Sequence, residues 1–281
     1  MPAHYALVSL LMREHKTDDA KKAFETMKQA APRQPQTTYL QALMAVNDKD
    51  YAAARDAIQR HLKAAPNSLP GMLVAAQIDF QLGSYAQAEN GLVALLQRAP
   101  GHIYARRLVA QVYLREGKPS KARETLLPIL SDNSDSDTLA LAGQVYLQNG
   151  DAIKAAGFFE KAAALDPKNT GKRTAVALAH LAKGDSERGI EELEGVAADD
   201  TGIPPELALT AASAPERKFD AALAAVAAIE RKQPDKPLPH VLRGDILVPK
   251  GDLAGARISY ERALAIDSSY LPAVAGLARL D

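Results

Sequence analysis

The chain has 281 residues, carries 34 Lys+Arg against 34 Asp+Glu, and contains neither Cys nor Trp. Without cysteine it has no disulfide, thiolate nucleophile, zinc–thiolate site or iron–sulfur cluster. Balanced charge without basic blocks argues against nucleic acid as the main partner, since phosphate neutralisation needs clustered Lys and Arg.

Near the start, Tyr5 to Met12 is a largely apolar stretch of eight residues closed by Arg13 and Glu14. A membrane span needs about 20 such residues. No Lys or Arg precedes the stretch and no small-residue cleavage site follows, so it does not read as a signal peptide. Further along, Pro32, Pro66 and Pro100 lie 34 residues apart, and Ser134, Pro167, Thr201, Pro234 and Ser268 continue the series in steps of 33 or 34. A fixed period of this length marks a solenoid made of one recurring supersecondary unit. The units run 1–34, 35–68, 69–102, 103–135, 136–169, 170–202, 203–236 and 237–270, with a partial unit 271–281.

Position 20 of the eight units reads Ala20, Ala54, Ala88, Ala122, Ala155, Gly189, Ala222 and Ala256. Position 8 is small in six of eight: Ala42, Ala76, Ala110, Gly143, Ala177 and Gly244, with Val8 and Thr210 as the others. Small side chains let two helices cross at the short end of the roughly 8–10 Å packing range. Turn residues stand near position 15 at Gly83, Gly117, Gly150-Asp151, Gly184-Asp185 and Gly251-Asp252. Glycine permits the left-handed conformation that ends a helix, and a following Asp or Ser caps the next. The apolar residues between turns keep helical spacing, as with Leu139, Ala142, Gly143 and Tyr146 in the fifth unit. Each unit is therefore predicted as two antiparallel helices, A and B.

The loop between the fourth and fifth units carries Asp132, Asp135 and Asp137, but a calcium loop from Asp132 would need Gly and Glu where Asp137 and Gly143 stand. Asp135 or Ser136 is read as a helix cap. In the sixth unit Glu191, Glu192 and Glu194 are read as a hydrated helix surface without perturbed acidity. In the seventh, Pro204 and Pro205 start a helix A that is predicted short, about 205–213, before Pro215 and a Glu216-Arg217-Lys218 turn. Pro249 in the eighth unit should disturb only the last turn of its helix. The six histidines are scattered, no two at i,i+4, and are read as surface or groove residues.

These small residues, turn glycines and closing prolines resemble the tetratricopeptide repeat across essentially the whole chain. The resemblance implies an all-α fold, a right-handed α–α superhelix of eight helix-turn-helix repeats plus a partial ninth. Residues 139–169 and 232–281 further resemble the tetratricopeptide lipoprotein family of the PEP-CTERM/exosortase system (PrsT), which implies an envelope-associated setting, periplasmic or at the outer membrane, in exopolysaccharide-producing Gram-negative bacteria. Members of that family are longer and carry a leader and a lipidated cysteine that this chain lacks, so the chain reads as a fragment of a longer protein. On this reading Leu271, Val274 and Leu277 belong to an uncapped half-repeat or a makeshift cap.

The resemblance also implies that helix A lines a concave groove through positions 2, 5, 9, 12 and 13. There the third to fifth units place Gln77, Gln81, Gln111, Arg115, Gln144 and Gln148 in register, with Asn47 at one end and Tyr39, Leu73, Phe80, Tyr104 and Arg107 beside them. Amides supply donors and acceptors suited to an extended peptide or to sugar hydroxyls. The sixth to eighth units offer the more apolar Thr174, Leu178, Leu181, Leu207, Ala211, Val241 and Val248. Position 5 does not match a carboxylate clamp. No catalytic constellation, metal site, cofactor site, phosphate loop or nucleophile elbow is found. The sequence thus points to a non-catalytic scaffold that binds protein partners in its groove, within an exopolysaccharide and protein-sorting system. A polysaccharide-binding module and the substrate-selecting arm of a larger enzyme are the competing readings.

Overall fold

The computed structural model describes residues 2–131 and 133–281. All regular structure among them is helical, and it falls into two compact units, Met1–Ser134 and Asp135–Asp281. The first holds α1 (Pro2–Arg13), α2 (Thr17–Ala30), α3 (Pro35–Asn47), α4 (Tyr51–Ala64), α5 (Leu69–Gln81), α6 (Tyr85–Arg98), α7 (Ile103–Arg115) and α8 (Pro119–Leu126), which runs into a 3-10 turn at Leu127–Ile129. The second holds α9 (Ser136–Gln148), α10 (Ala152–Leu165), α11 (Thr170–Ala182), α12 (Ser186–Asp199), α13 (Pro204–Ser213), α14 (Phe219–Lys232), α15 (Leu238–Lys250), α16 (Leu253–Ile266) and α17 (Leu271–Ala278). The helices pair as eight A–B hairpins at the predicted period, and α17 stands as the first helix of a ninth.

Small residues mark the hairpin crossings. All eight residues at position 20 are buried, as are all eight at position 8. At Gly143 a Cβ would lie 2.6 Å from the Phe159 ring of the same hairpin. Real Cβ atoms do not approach so closely, so the glycine is what lets the aromatic ring fill the interface.

The turns have one backbone solution. Position 15 has positive φ in all eight repeats: Gly83, Gly117, Gly150, Gly184 and Gly251 between 69° and 93°, and His15, Lys49 and Arg217 between 57° and 60°. Glycine adopts this region freely, whereas an L-residue there costs about 1–2 kcal/mol. Side-chain caps then start three of the following helices, whereas Ser84 and Asp185, which stand where a cap is expected for α6 and α12, make no side-chain cap bond. Asp50, Asp151 and Asp252 accept from Ala53, Lys154 and Gly255 N–H, and Asp135 accepts from Thr138 N–H at 2.9 Å. The earlier member of that acidic loop, Asp132, lies outside the described residues.

The irregular repeats follow their prolines. Helix α13 has 10 residues, where the other A helices of the eight hairpins have 12 or 13. Helix α15 continues through Pro249 to Lys250 before Gly251 turns left-handed. The early end of α8 was not anticipated; Pro128 has no N–H to continue the ladder.

Two expectations are corrected. His61, His180 and His240 are buried rather than on the surface, because each packs between neighbouring helices. His61 Nδ1 faces Pro35 O at 2.8 Å and Nε2 faces Ser68 Oγ at 2.9 Å, joining α4 to the starts of α3 and α5. Glu192, read as part of an open acidic surface, instead turns inward to His180.

Candidate functional site

Helical spacing sorts α5 and α7 into two faces. Val74, Ala76 and Ile78 of α5 and Val109, Ala110 and Val112 of α7 are buried in the core. On the other face, residues three and four apart line up: Leu73, Gln77, Phe80 and Gln81 on α5, and Tyr104, Arg107, Leu108 and Gln111 on α7. Together these eight line one recess of about 280 Å³ within the first unit.

The floor and walls are held in place from behind. Arg55 of α4 donates to Asp79 Oδ1 from Nε at 3.1 Å and from Nη2 at 2.8 Å, and Nη2 also reaches Ser84 Oγ at 2.8 Å. This ties the preceding B helix to the end of α5. The Phe80 ring is braced by Tyr85 at a centroid separation of 5.7 Å. Tyr104 is 67% exposed, and the Arg107 guanidinium lies 5.9 Å from the centre of its ring, a cation–π arrangement that steadies the ring at the rim. An apolar floor with amides around it suits a ligand carrying alternating backbone amides and side chains.

Of the residues picked from sequence, Leu73, Gln77, Phe80, Gln81, Tyr104, Arg107 and Gln111 come together here. Arg115 is exposed one turn further along α7, outside the recess. Gln144 and Gln148 are exposed on α9, in the second unit. Tyr39 does not join the group: its ring packs 5.1 Å from His61 and against the Ala57–Ile58 cluster. Burial holds its phenol above the ordinary tyrosine range, with a smaller contribution from Tyr5. Asn47 lies beside Met12, Lys21 and Asp48 around a void of about 10 Å³. Sequence reasoning missed Leu108, although its place one turn after Tyr104 signals the same face.

In the second unit, two of the apolar groove candidates belong to the interior instead. Thr174 is buried and its hydroxyl donates to Thr170 O at 2.8 Å, and Val241 is buried in the cluster around Tyr260. Leu178 and Val248 stay exposed. A second recess of about 350 Å³, not foreseen from sequence, is bordered by Glu160, Arg173, Val176, Glu192 and Val196 of α10, α11 and α12. Among the described residues no group of three His, Asp or Glu could hold a metal ion, and no helix is long and apolar enough to cross a membrane.

Comparison with known proteins agrees with this architecture. A family model for subunit 3 of the anaphase-promoting complex (cyclosome) matches residues 13–95, and tetratricopeptide-repeat models match residues 80–144, 136–169 and 216–270. The sequence has no match among curated proteins. A tetratricopeptide repeat protein from Parabacteroides merdae superposes with a TM-score of 0.67 at 15% identity, covering 88% of this chain and 98% of its own. The APC/C hetero-tetramer Cut9-Hcn1 gives 0.64 at 14% identity over 94% of this chain, which spans 52% of that one. A thermophilic TPR protein of Thermus thermophilus gives 0.54 at 21% identity over 64% of this chain and 98% of its own. The hairpins, their small-residue crossings and these matches together identify a tetratricopeptide-repeat chain with the all-helical fold of that class.

Proposed function

We propose that the chain is a non-catalytic interaction scaffold that takes an extended segment of a partner protein along the A helices of its repeats. The observation that carries the proposal is the recess between α5 and α7, where amides, aliphatic side chains and an exposed tyrosine from two successive repeats share one opening. Repeat arrays present such extended surfaces as their working face. Gln77, Gln81 and Gln111 would pair with the partner's backbone, and Leu73, Phe80 and Leu108 would receive a side chain. Within the first unit Arg115 would extend the track along α7, and in the second unit Gln144 and Gln148 offer a like pair of amides on α9. The sequence resemblance favours partners within an exopolysaccharide and PEP-CTERM sorting system, at the periplasmic side or the outer membrane.

The test is a crosslinked pull-down from an envelope extract with the wild type and a Tyr104→Ala/Gln111→Ala variant side by side. A protein held by the first and lost by the second supports the reading. Equal retention by both removes the recess as the binding face. The exposed tyrosine beside amides also suits sugar hydroxyls, so affinity electrophoresis with envelope polysaccharide serves as the second arm. Retardation of the wild type alone would replace the peptide reading with a glycan one.

A further inference from the structure

His180 is fully buried, and each of its ring nitrogens meets a carboxylate from a different helix. Nδ1 lies 2.7 Å from Glu192 Oε2 on α12, and Nε2 lies 3.1 Å from Glu160 Oε1 on α10. The histidine itself is on α11, so three consecutive helices of the second unit converge on one imidazole. Arg188 of α12 closes the ring of charges, donating from Nε to Glu192 Oε1 at 3.0 Å and from Nη2 to Glu160 Oε1 at 3.3 Å.

The chemistry of the partners decides the protonation. An ionised carboxylate only accepts, and a neutral imidazole donates from one nitrogen alone. Glu160 and Glu192 reach solvent with 45% and 27% of their side chains exposed, and both are bonded to a guanidinium. Both carboxylates act as acceptors here, toward the guanidinium and toward the ring, so both ring nitrogens donate. We infer that His180 is a buried imidazolium and that its second proton is a clasp joining α10, α11 and α12. Other charges near this junction are engaged elsewhere. Lys183, after α11, lies 3.8 Å from Asp185, Arg173 of α11 pairs with Asp199, and Glu206 of α13, which packs beside α11, pairs with Lys232.

The clasp ties together the three helices around the recess of about 350 Å³, whose border carries Glu160, Arg173 and Glu192. A ring with a single N–H would present a lone pair to one of these carboxylates in place of a donor.

Nitrogen-15 NMR of the histidine-labelled full chain at about pH 7 reads the state directly, with the His180 signals assigned by their displacement in Glu192→Gln. Imidazolium shifts on both nitrogens are expected. Urea unfolding at the same pH reads the contribution of the clasp: the wild-type midpoint should exceed that of Glu160→Gln/Glu192→Gln, whose amides remove the two charges that face the ring. One unprotonated ring nitrogen near neutrality overturns the inference. So does an equal midpoint for wild type and variant.

Discussion

A Cβ on Gly244 would stand 2.5 Å from the ring of Tyr260. Gly276 meets the same ring at the same distance, so the aromatic plane is held between the backbones of α15 and α17. Tyr260 is fully buried, and its hydroxyl donates to Asp245 Oδ1 at 2.9 Å. The ring therefore has nowhere to retreat.

Two opposed effects can be separated on this basis. Alanine is the better helix former by about 1 kcal/mol, and at Gly157, inside α10 with nothing within 4 Å of a Cβ, that gain should appear undiminished. Gly157→Ala is expected to raise stability by about 0.5–1 kcal/mol. At Gly244 the overlap with Tyr260 outweighs propensity, and Gly244→Ala is expected to lose about 1–3 kcal/mol. Thermal melts of the two variants check the contrast. A Gly244→Ala protein as stable as wild type would show that the ring is not fixed.

The same logic explains what was legible in the sequence. Small residues at positions 8 and 20 record the helix crossings directly, because steric exclusion leaves no alternative at contact distance. The partners of His180 come from 20 residues before and 12 after it. No local spacing announces such a junction, so the ring passed for a surface residue. Tyr39 occupies a position that in Arg107 faces the recess, yet its ring turns to a neighbouring histidine and packs half-buried against the edge of the core. Position 5 lies on the border between the faces, and packing of the next helix decides its side. The proline-shortened α13 could be read, because a missing N–H acts locally. The staple that secures its start could not.

That staple is Lys232. Its ammonium donates to Asp200 O and Gly202 O, both at 2.7 Å, and to Glu206 Oε1 at 2.5 Å. Glu206 is 1% exposed, and its other oxygen, Oε2, has no hydrogen-bond partner among the described residues. One cation thus anchors the irregular loop before α13 and offsets a buried carboxylate. Lys232→Met should cost about 3–5 kcal/mol, because it strands that charge. Replacing both partners, as Glu206→Leu/Lys232→Met, should recover most of the loss. Hydrogen exchange localised to α13 and α14 checks the pair, and a double variant no better than the single one would refute the charge argument.

Alkaline pH offers a second lever. Burial, followed by hydrogen bonds to carboxylates, pushes the phenols of Tyr113 and Tyr260 up to about 12. Glu89 accepts from the first and Asp245 from the second. A raised acid favours its neutral form when folded, so the unfolded chain gives up these protons first, near the ordinary tyrosine range. Stability should fall as pH rises from about 10 to about 12. Phenolate absorbance should show these two, with Tyr39 also displaced upward, titrating late among the nine tyrosines of the folded protein. Tyr260→Phe should remove its share of the late phase. A single phase at the ordinary position for all tyrosines would contradict the packing of both rings.

The turns supply the last test, in both directions. Lys49 adopts φ of 60° at the position where five other repeats have glycine. Its left-handed conformation costs about 1–2 kcal/mol, while glycine's extra freedom in the unfolded chain gives back about 0.5–1 kcal/mol of any gain. The conformational cost wins, so Lys49→Gly should stabilise by roughly 0.5–1 kcal/mol. Gly150 has φ of 82° and no atom within 4 Å of a Cβ, which isolates the backbone effect from crowding. Gly150→Lys should destabilise by about 1 kcal/mol. Thermal midpoints that move in opposite directions would confirm that position 15 is selected by backbone conformation alone. A lowered midpoint for Lys49→Gly would instead mean that the lysine side chain makes a contribution larger than its strain.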